Sequence, residues 1–177
     1  MNRLAGKGSP GLAGIEVGIL GMARSGFAAA ALCLREGARP ICLDIKRPDG
    51  EDGRIAELEA SGVGMIWGPH PAGLLDRLGA LVKSPGIPGE IGFVTEARRR
   101  GVPVWSEVEL AARCARGPIL GITGTNGKST TTAWAADLLR SCGVPHELCG
   151  NIGRPVSDAV LLAGEGSVLV TEISSFQ

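Results

Sequence analysis

Gly121-Ile122-Thr123-Gly124-Thr125-Asn126-Gly127-Lys128-Ser129-Thr130-Thr131-Thr132 decides how this chain is read. Before it, Pro118-Ile119-Leu120 is a short apolar run that reads as a buried strand. After it, Ala133 to Arg140 reads as a helix. Strand, glycine loop and helix together make a phosphate cradle. Glycines let backbone N–H groups approach an anion without an intervening Cβ, and the helix start adds unpaired donors and the positive end of its dipole. In this reading Lys128 reaches the β/γ-phosphates, and the Ser129 hydroxyl holds a bridging Mg²⁺. The usual spacing is not met, since the position five before Gly127 is Ile122 rather than a glycine. The plain alternative is a glycine turn carrying a surface lysine.

Outside that stretch the composition is ordinary. The chain has 177 residues, enough for one domain or two small ones, with 44% hydrophobic and 20% charged residues. Eighteen basic residues balance eighteen acidic ones, so there is no overall field for nucleic acid or an anionic membrane, and any anion site must be local. Cys33, Cys42, Cys114, Cys142 and Cys149 form no C-x-x-C pair and read as free thiols of a reducing compartment rather than a zinc site. Met1 to Gly14 lacks the apolar core of a signal peptide, and no apolar run reaches membrane-spanning length. A cytoplasmic protein with no membrane insertion is the expectation.

Upstream, strands and helices alternate. Glu16-Val17-Gly18-Ile19-Leu20 reads as a strand, Gly21 to Gly26 as a turn, Phe27 to Arg35 as a helix, and Arg39 to Asp44 as a second strand ending in an acid. That is the opening of a Rossmann-like unit, in which the turn holds a phosphate and the acid holds a sugar hydroxyl or base edge. Ala23 replaces the middle glycine of the dinucleotide fingerprint, which leaves open a dinucleotide, another nucleotide, or no ligand. Gly64 to Trp67 and Ala80 to Lys83 continue as strands, with a short helix from Gly73 to Leu78 between them. Ser84-Pro85-Gly86-Ile87-Pro88 is then a shaped loop at a strand's carboxyl end, with Ser84 and the Gly86 N–H either ligand contacts or parts of a plain turn.

Ile91 to Arg100 is a predicted helix whose terminal Arg98-Arg99-Arg100 reads either as an anion site or as a solvated helix end complementing the dipole, the second being favoured. A short strand from Val102 to Trp105 follows. Ser106 then caps a helix over Glu107 to Arg113, with Glu109 at the capping-box position, and a boundary is placed near residue 106. Past the phosphate loop, His146 to Cys149 is a strand and Gly150-Asn151-Ile152-Gly153 a loop before a proline-started helix. Asn151 there donates to a phosphate or accepts from a substrate amide. Ser167 to Thr171 is a last apolar strand delivering Glu172, which reads either as a surface acid on a loop or as the Mg²⁺ ligand that a phosphate-loop enzyme places there, the second being favoured.

Gly124 to Thr130, Gly150-Asn151-Ile152-Gly153 and Glu172-Ile173-Ser174-Ser175-Phe176-Gln177, in that order, resemble the central-domain motifs of the Mur ligases. With Ser84 to Pro88 and the Gly21 to Gly26 turn, the resemblance runs from about Gly14 onward and is nearest the D-glutamate-adding branch. It implies an α/β protein: a Rossmann-like UDP-substrate domain over 1–106, followed by an incomplete phosphate-loop central domain over 107–177. The implied activity is ATP- and Mg²⁺-dependent amide ligation through an acyl phosphate, with UDP-N-acetylmuramoyl-L-alanine and D-glutamate as substrates, in a monomeric enzyme of peptidoglycan synthesis.

Residue by residue, the resemblance implies that Gly124, Thr125, Asn126, Gly127, Lys128, Ser129 and Thr130 hold ATP phosphates. Ser129 and Glu172 hold Mg²⁺, and Lys128, Asn151 and Glu172 form the catalytic set. Arg24, Ser25, Asp44, Lys46, Ser84, Asn151 and Ser174 face the UDP substrate. Family members continue past the Ser-Ser-Phe-Gln motif with a histidine metal ligand, a carbamylated lysine, the adenine pocket and a further domain. The expectation is therefore a fragment that does not ligate alone and that associates through an uncovered sheet edge. Other readings are a different amino-acid-adding Mur ligase, a folylpolyglutamate synthase relative, or a non-catalytic nucleotide-binding module.

Overall fold

The computed structural model describes residues 11–175. The first ten residues of the lead-in, and Phe176 and Gln177 of the final motif, lie outside the described residues. The chain runs β1 (Glu16–Leu20), α1 (Arg24–Arg35), β2 (Arg39–Asp44), α2 (Asp52–Ala60), β3 (Gly64–Trp67), a 3-10 turn (Ala72–Asp76), β4 (Ala80–Lys83), α3 (Gly92–Arg99) and β5 (Val104–Ser106). It continues with α4 (Glu107–Cys114), β6 (Ile119–Ile122), α5 (Lys128–Ser141), β7 (His146–Gly150), α6 (Val156–Leu162) and β8 (Val168–Glu172).

Two parallel sheets result. The first has the order β3-β2-β1-β4-β5 and the second β6-β8-β7. In the first, chain order reverses between β1 and β4, so the loops after those strands diverge and leave a crevice at their carboxyl ends. The Gly21–Gly26 turn follows β1 and Ser84 follows β4, so both border it. Parallel strands covered on both faces need continuous apolar runs, which is why β1, β2 and β4 are buried along nearly their whole length.

The core does not break at residue 106. One cluster of buried side chains runs from Leu12, Val17 and Leu32 through Leu110 and Cys114 to Val156, Val160 and Leu169. α6, which belongs to the second half, packs on α1 and α4 of the first. Arg35 Nη1 adds a hydrogen bond of 2.7 Å to the Val160 carbonyl. Leu12, Leu32, Leu110 and Leu169 are at most 1% exposed, and each such burial contributes about 1.5–3 kcal/mol.

Several boundaries differ from the sequence reading for identifiable reasons. α5 starts at Lys128 rather than Ala133, because Gly127, at φ +75°, turns the chain directly into the helix. The Thr132 hydroxyl donates to the Lys128 carbonyl at 2.7 Å, absorbing a side chain that reads as loop-forming. β6 extends through Ile122, two residues into the glycine stretch, and α1 starts at Arg24 rather than Phe27. The predicted helix over Gly73 to Leu78 is the 3-10 turn, and α2 has no counterpart in the sequence reading. Ser106 caps α4 as expected, its Oγ accepting from the Glu109 N–H at 3.1 Å. The arginine run at the end of α3 is engaged internally: Arg99 and Arg100 pair with Glu96, Arg100 also with Asp76, and Arg98 donates to the Gly89 carbonyl.

Candidate functional site

Glycine geometry shapes the loop after β6. Gly124 has φ +153° and Gly127 φ +75°; around Gly127 there is open space, so the glycine answers to conformation rather than crowding. Thr125, Asn126, Ser129 and Thr130 are exposed around it. Lys128 folds back over the loop, its Nζ donating to the Gly124 carbonyl at 2.6 Å and the Thr125 carbonyl at 3.4 Å. The ammonium is thus held at the mouth of the loop by neutral acceptors, which phosphate oxygens would replace favourably.

β8 lies between β6 and β7, with Ile122 and Gly150 both in register with Glu172. Glu172 is 1% exposed. Asn151 clasps this residue from the next loop: its backbone N–H donates to the Glu172 carbonyl at 2.9 Å and its Nδ2 to Glu172 Oε1 at 2.8 Å. The second carboxylate oxygen, Oε2, is buried with no hydrogen-bond partner. An unpaired carboxylate oxygen of this kind is costly to bury and is the donor type that a hard cation seeks. Glu172 Oε2 and the exposed Ser129 hydroxyl are thus of the donor type that Mg²⁺ takes, while no cluster of three or more His, Cys, Asp or Glu side chains gathers among the described residues.

The Gly150–Gly153 loop is tight for steric reasons. A Cβ on Gly150, whose φ is +101°, would strike the Glu172 backbone, and one on Gly153 would lie 2.7 Å from the Leu148 carbonyl oxygen. The loop closes on itself through Gly150 N–H to Arg154 O, 2.9 Å. Across the molecule, Arg24 Nη2 donates to the Gly153 carbonyl at 3.2 Å. Arg24, Ser25, Pro85, Glu107, Asn151 and Gly153 line one cleft of about 270 Å³.

Of the residues singled out from sequence, Arg24, Ser25 and Asn151 share that cleft, and Asn151 and Glu172 touch. Ser84 is buried. Its Oγ donates to the Gly21 carbonyl at 2.7 Å and accepts from Ser25 Oγ at 3.3 Å, so it ties the two loops across the switch point. Asp44 likewise holds its own surroundings: Oδ2 accepts from Met22 N–H at 2.7 Å and Oδ1 from Lys46 N–H at 3.2 Å. The Lys46 side chain is exposed, and Ser174 is half-buried just past β8. Gly26 allows the turn to close, since a Cβ there would fall on the Gly21 carbonyl oxygen.

Sequence reasoning missed Glu107. It is 1% exposed, lines the cleft, and accepts from the Ser157 N–H at 2.6 Å. Burial raises its carboxyl above the ordinary range, against the lowering effect of the hydrogen bonds it receives. An acid in the first turn of a helix is expected on dipole grounds alone, so nothing in the sequence marked this one as turned inward. All five cysteines are free, four of them buried and Cys142 exposed. Among the described residues no helix is long and apolar enough to cross a membrane.

No family model matches the chain. Over 173 residues, 96% of its length, it is 47% identical to a UDP-N-acetylmuramoylalanine--D-glutamate ligase of Anaeromyxobacter dehalogenans, and over 167 residues 43% identical to one of Myxococcus xanthus. The chain spans 36% and 37% of the length of those relatives. Among solved structures, its fold is similar to UDP-N-acetylmuramate:L-alanyl-gamma-D-glutamyl-meso-diaminopimelate ligase of Neisseria meningitides, with a TM-score of 0.56 and 20% identity over 90% of this chain and 52% of that one. Along almost its whole length the chain is thus similar to part of the curated D-glutamate ligases, and its fold is similar to that of a solved ligase of the Mur type.

Proposed function

We propose that this chain carries the UDP-substrate side and the ATP phosphate cradle of an ATP-dependent ligase joining D-glutamate to UDP-N-acetylmuramoyl-L-alanine. Residues 1–106 form the UDP-substrate unit and 107–177 part of the ATP unit, within a cytoplasmic enzyme that works as a monomer. The observation that carries the reading is the clasp of Asn151 on Glu172, with Glu172 Oε2 buried and unpartnered at a strand end in register with the strand leading to Lys128. The likeness to curated D-glutamate ligases supports D-glutamate as the amino acid added.

In this reading the loop N–H groups from Gly124 to Ser129 and the start of α5 receive the triphosphate. Lys128 exchanges its Gly124 and Thr125 carbonyls for β/γ-phosphate oxygens. Ser129 and Glu172 would hold Mg²⁺, which supplies positive charge against the phosphates. Asn151, with one Nδ2 N–H given to Glu172, keeps its second N–H and its amide oxygen for the substrate side of the cleft. Arg24 and Ser25 meet the diphosphate from the opposite wall, while Asp44 and Ser84 hold the two loops that shape it. The terminal carboxylate of the muramoyl-alanine takes the γ-phosphoryl group from ATP. The amine of D-glutamate then displaces phosphate, forming the amide and releasing a proton. The protein's part is positioning and charge stabilisation.

The test is titration with a fluorescent ATP analogue, with and without Mg²⁺. The reading expects saturable, Mg²⁺-dependent binding, weakened about tenfold in Lys128→Met by loss of a charge-assisted contact. In Glu172→Gln the Mg²⁺ dependence disappears. Wild-type binding indifferent to both substitutions contradicts it.

A further inference from the structure

Glu107 presents an unusual arrangement. It is the first residue of α4, where an acid ordinarily stays in water and favours its own helix dipole. Here the side chain turns inward, 1% exposed, to accept the Ser157 N–H of α6, fifty positions along the chain. α6 receives no cap from its own side chains: Pro155 stands at the N-cap position and makes no side-chain bond there. A helix start buried without partners leaves unpaired donors, so a distant carboxylate takes the place of a local cap.

The consequence lies one loop away. Pro155 ends the Gly150–Pro155 segment, and α6 begins immediately after it. That segment is held at one end by Asn151 on Glu172 and near its middle by Arg24 on Gly153. Glu107 holds the far end, and it lines the same cleft as Arg24 and Asn151. Because Glu107 follows β5 directly, it also ties that loop to the carboxyl-end side of the first sheet.

We infer that Glu107 is a positioning residue: its carboxylate fixes the start of α6 and thereby sets the Asn151-bearing loop against the Arg24 turn. Its effect on ligand affinity rests on the UDP-substrate reading of the cleft; its effect on the loop does not. The residue acts through a hydrogen-bond acceptor at a fixed reach, not through charge on the ligand, since an acid facing a diphosphate would repel it.

Three variants test this. Glu107→Gln keeps an acceptor at the same reach, Glu107→Met keeps the volume without the acceptor, and Glu107→Asp keeps the charge but withdraws it by about one C–C bond, roughly 1.5 Å. Amide exchange at Ser157, with Ile19 in β1 as internal reference, is read alongside calorimetric affinity for UDP-N-acetylmuramoyl-L-alanine. Met and Asp are expected to speed Ser157 exchange about tenfold and weaken the ligand about tenfold, Ile19 unchanged, as loss of one hydrogen bond to a charged group predicts. Gln is expected to restore both to within about twofold. Wild-type Ser157 exchange in Asp or Met, or a Gln variant as impaired as Met, overturns the inference. If the wild-type chain does not bind the UDP compound, the substrate reading fails, while Ser157 exchange still decides the role of Glu107.

Discussion

Asn151 holds Glu172 twice, through its backbone N–H to the carbonyl at 2.9 Å and its Nδ2 to Oε1 at 2.8 Å, leaving Oε2 buried and unpartnered. Removing the side chain in Asn151→Ala strips Glu172 Oε1 of the hydrogen bond it accepts from Asn151 Nδ2. Chemical denaturation should show a loss of about 1–3 kcal/mol, the cost of an unsatisfied buried acceptor. The double variant Asn151→Ala/Glu172→Ala should recover part of it, because the orphaned carboxylate is then gone.

Gly150 sets that clasp and tolerates no side chain. Its φ is +101° and a Cβ would meet the Glu172 backbone, whereas Gly143, at φ +68°, faces open space. Gly143→Ala should cost about 1 kcal/mol from conformation alone, and Gly150→Ala at least about 2 kcal/mol because a steric clash is added. Equal losses in paired denaturation curves would show that the close approach is not felt.

What the sequence displayed and what it hid divide along a physical line. The strands were legible because parallel β1, β2 and β4 carry unbroken apolar runs. The turn between β6 and α5 was legible because its glycines answer to local conformation. The start of α5 was not, since Ser129 to Thr132 reads as loop until Gly127 and the Thr132 back-bond are seen. Asp44 and Ser84 were placed correctly at strand ends, but that their polar atoms serve the neighbouring turn depends on contacts with Met22 and Gly21. Glu107 escaped notice because its partner lies fifty residues away.

Burial raises the Glu107 carboxyl, so the folded chain holds that proton more tightly than the unfolded one. Stability contributed by this group is therefore greatest below the ordinary value of 4.5 and declines as pH rises from there toward its folded value. Glu107→Gln should flatten that decline, its stability relative to wild type improving as pH climbs through the window. The difference between wild type and Glu107→Gln isolates Glu107 from Asp158, which burial also raises, and from Glu96, which Arg99 and Arg100 hold down to about 2. A difference that does not change with pH would contradict the assignment.

Trp134 and Leu138 lie one turn apart on α5, 71% and 65% exposed, and Leu120 on β6 is 43% exposed. β6 pairs with β8 along one side only. Such a face and edge favour self-association. Sedimentation should show concentration-dependent association, reduced in Trp134→Lys/Leu138→Lys, with stability changed by no more than about 0.5 kcal/mol per exposed site. A wild-type chain that stays monomeric at high concentration would count against this.

In the proposed function the crevice between the first-sheet loops and the Gly150–Gly153 loop accepts a UDP-linked muramoyl substrate. Calorimetric titration of the chain with UDP-N-acetylmuramoyl-L-alanine, UDP and NAD tests it most directly. Saturable binding of the muramoyl compound, weaker binding of UDP and no heat with NAD are expected; binding of NAD in place of the UDP compounds would contradict this assignment of the crevice.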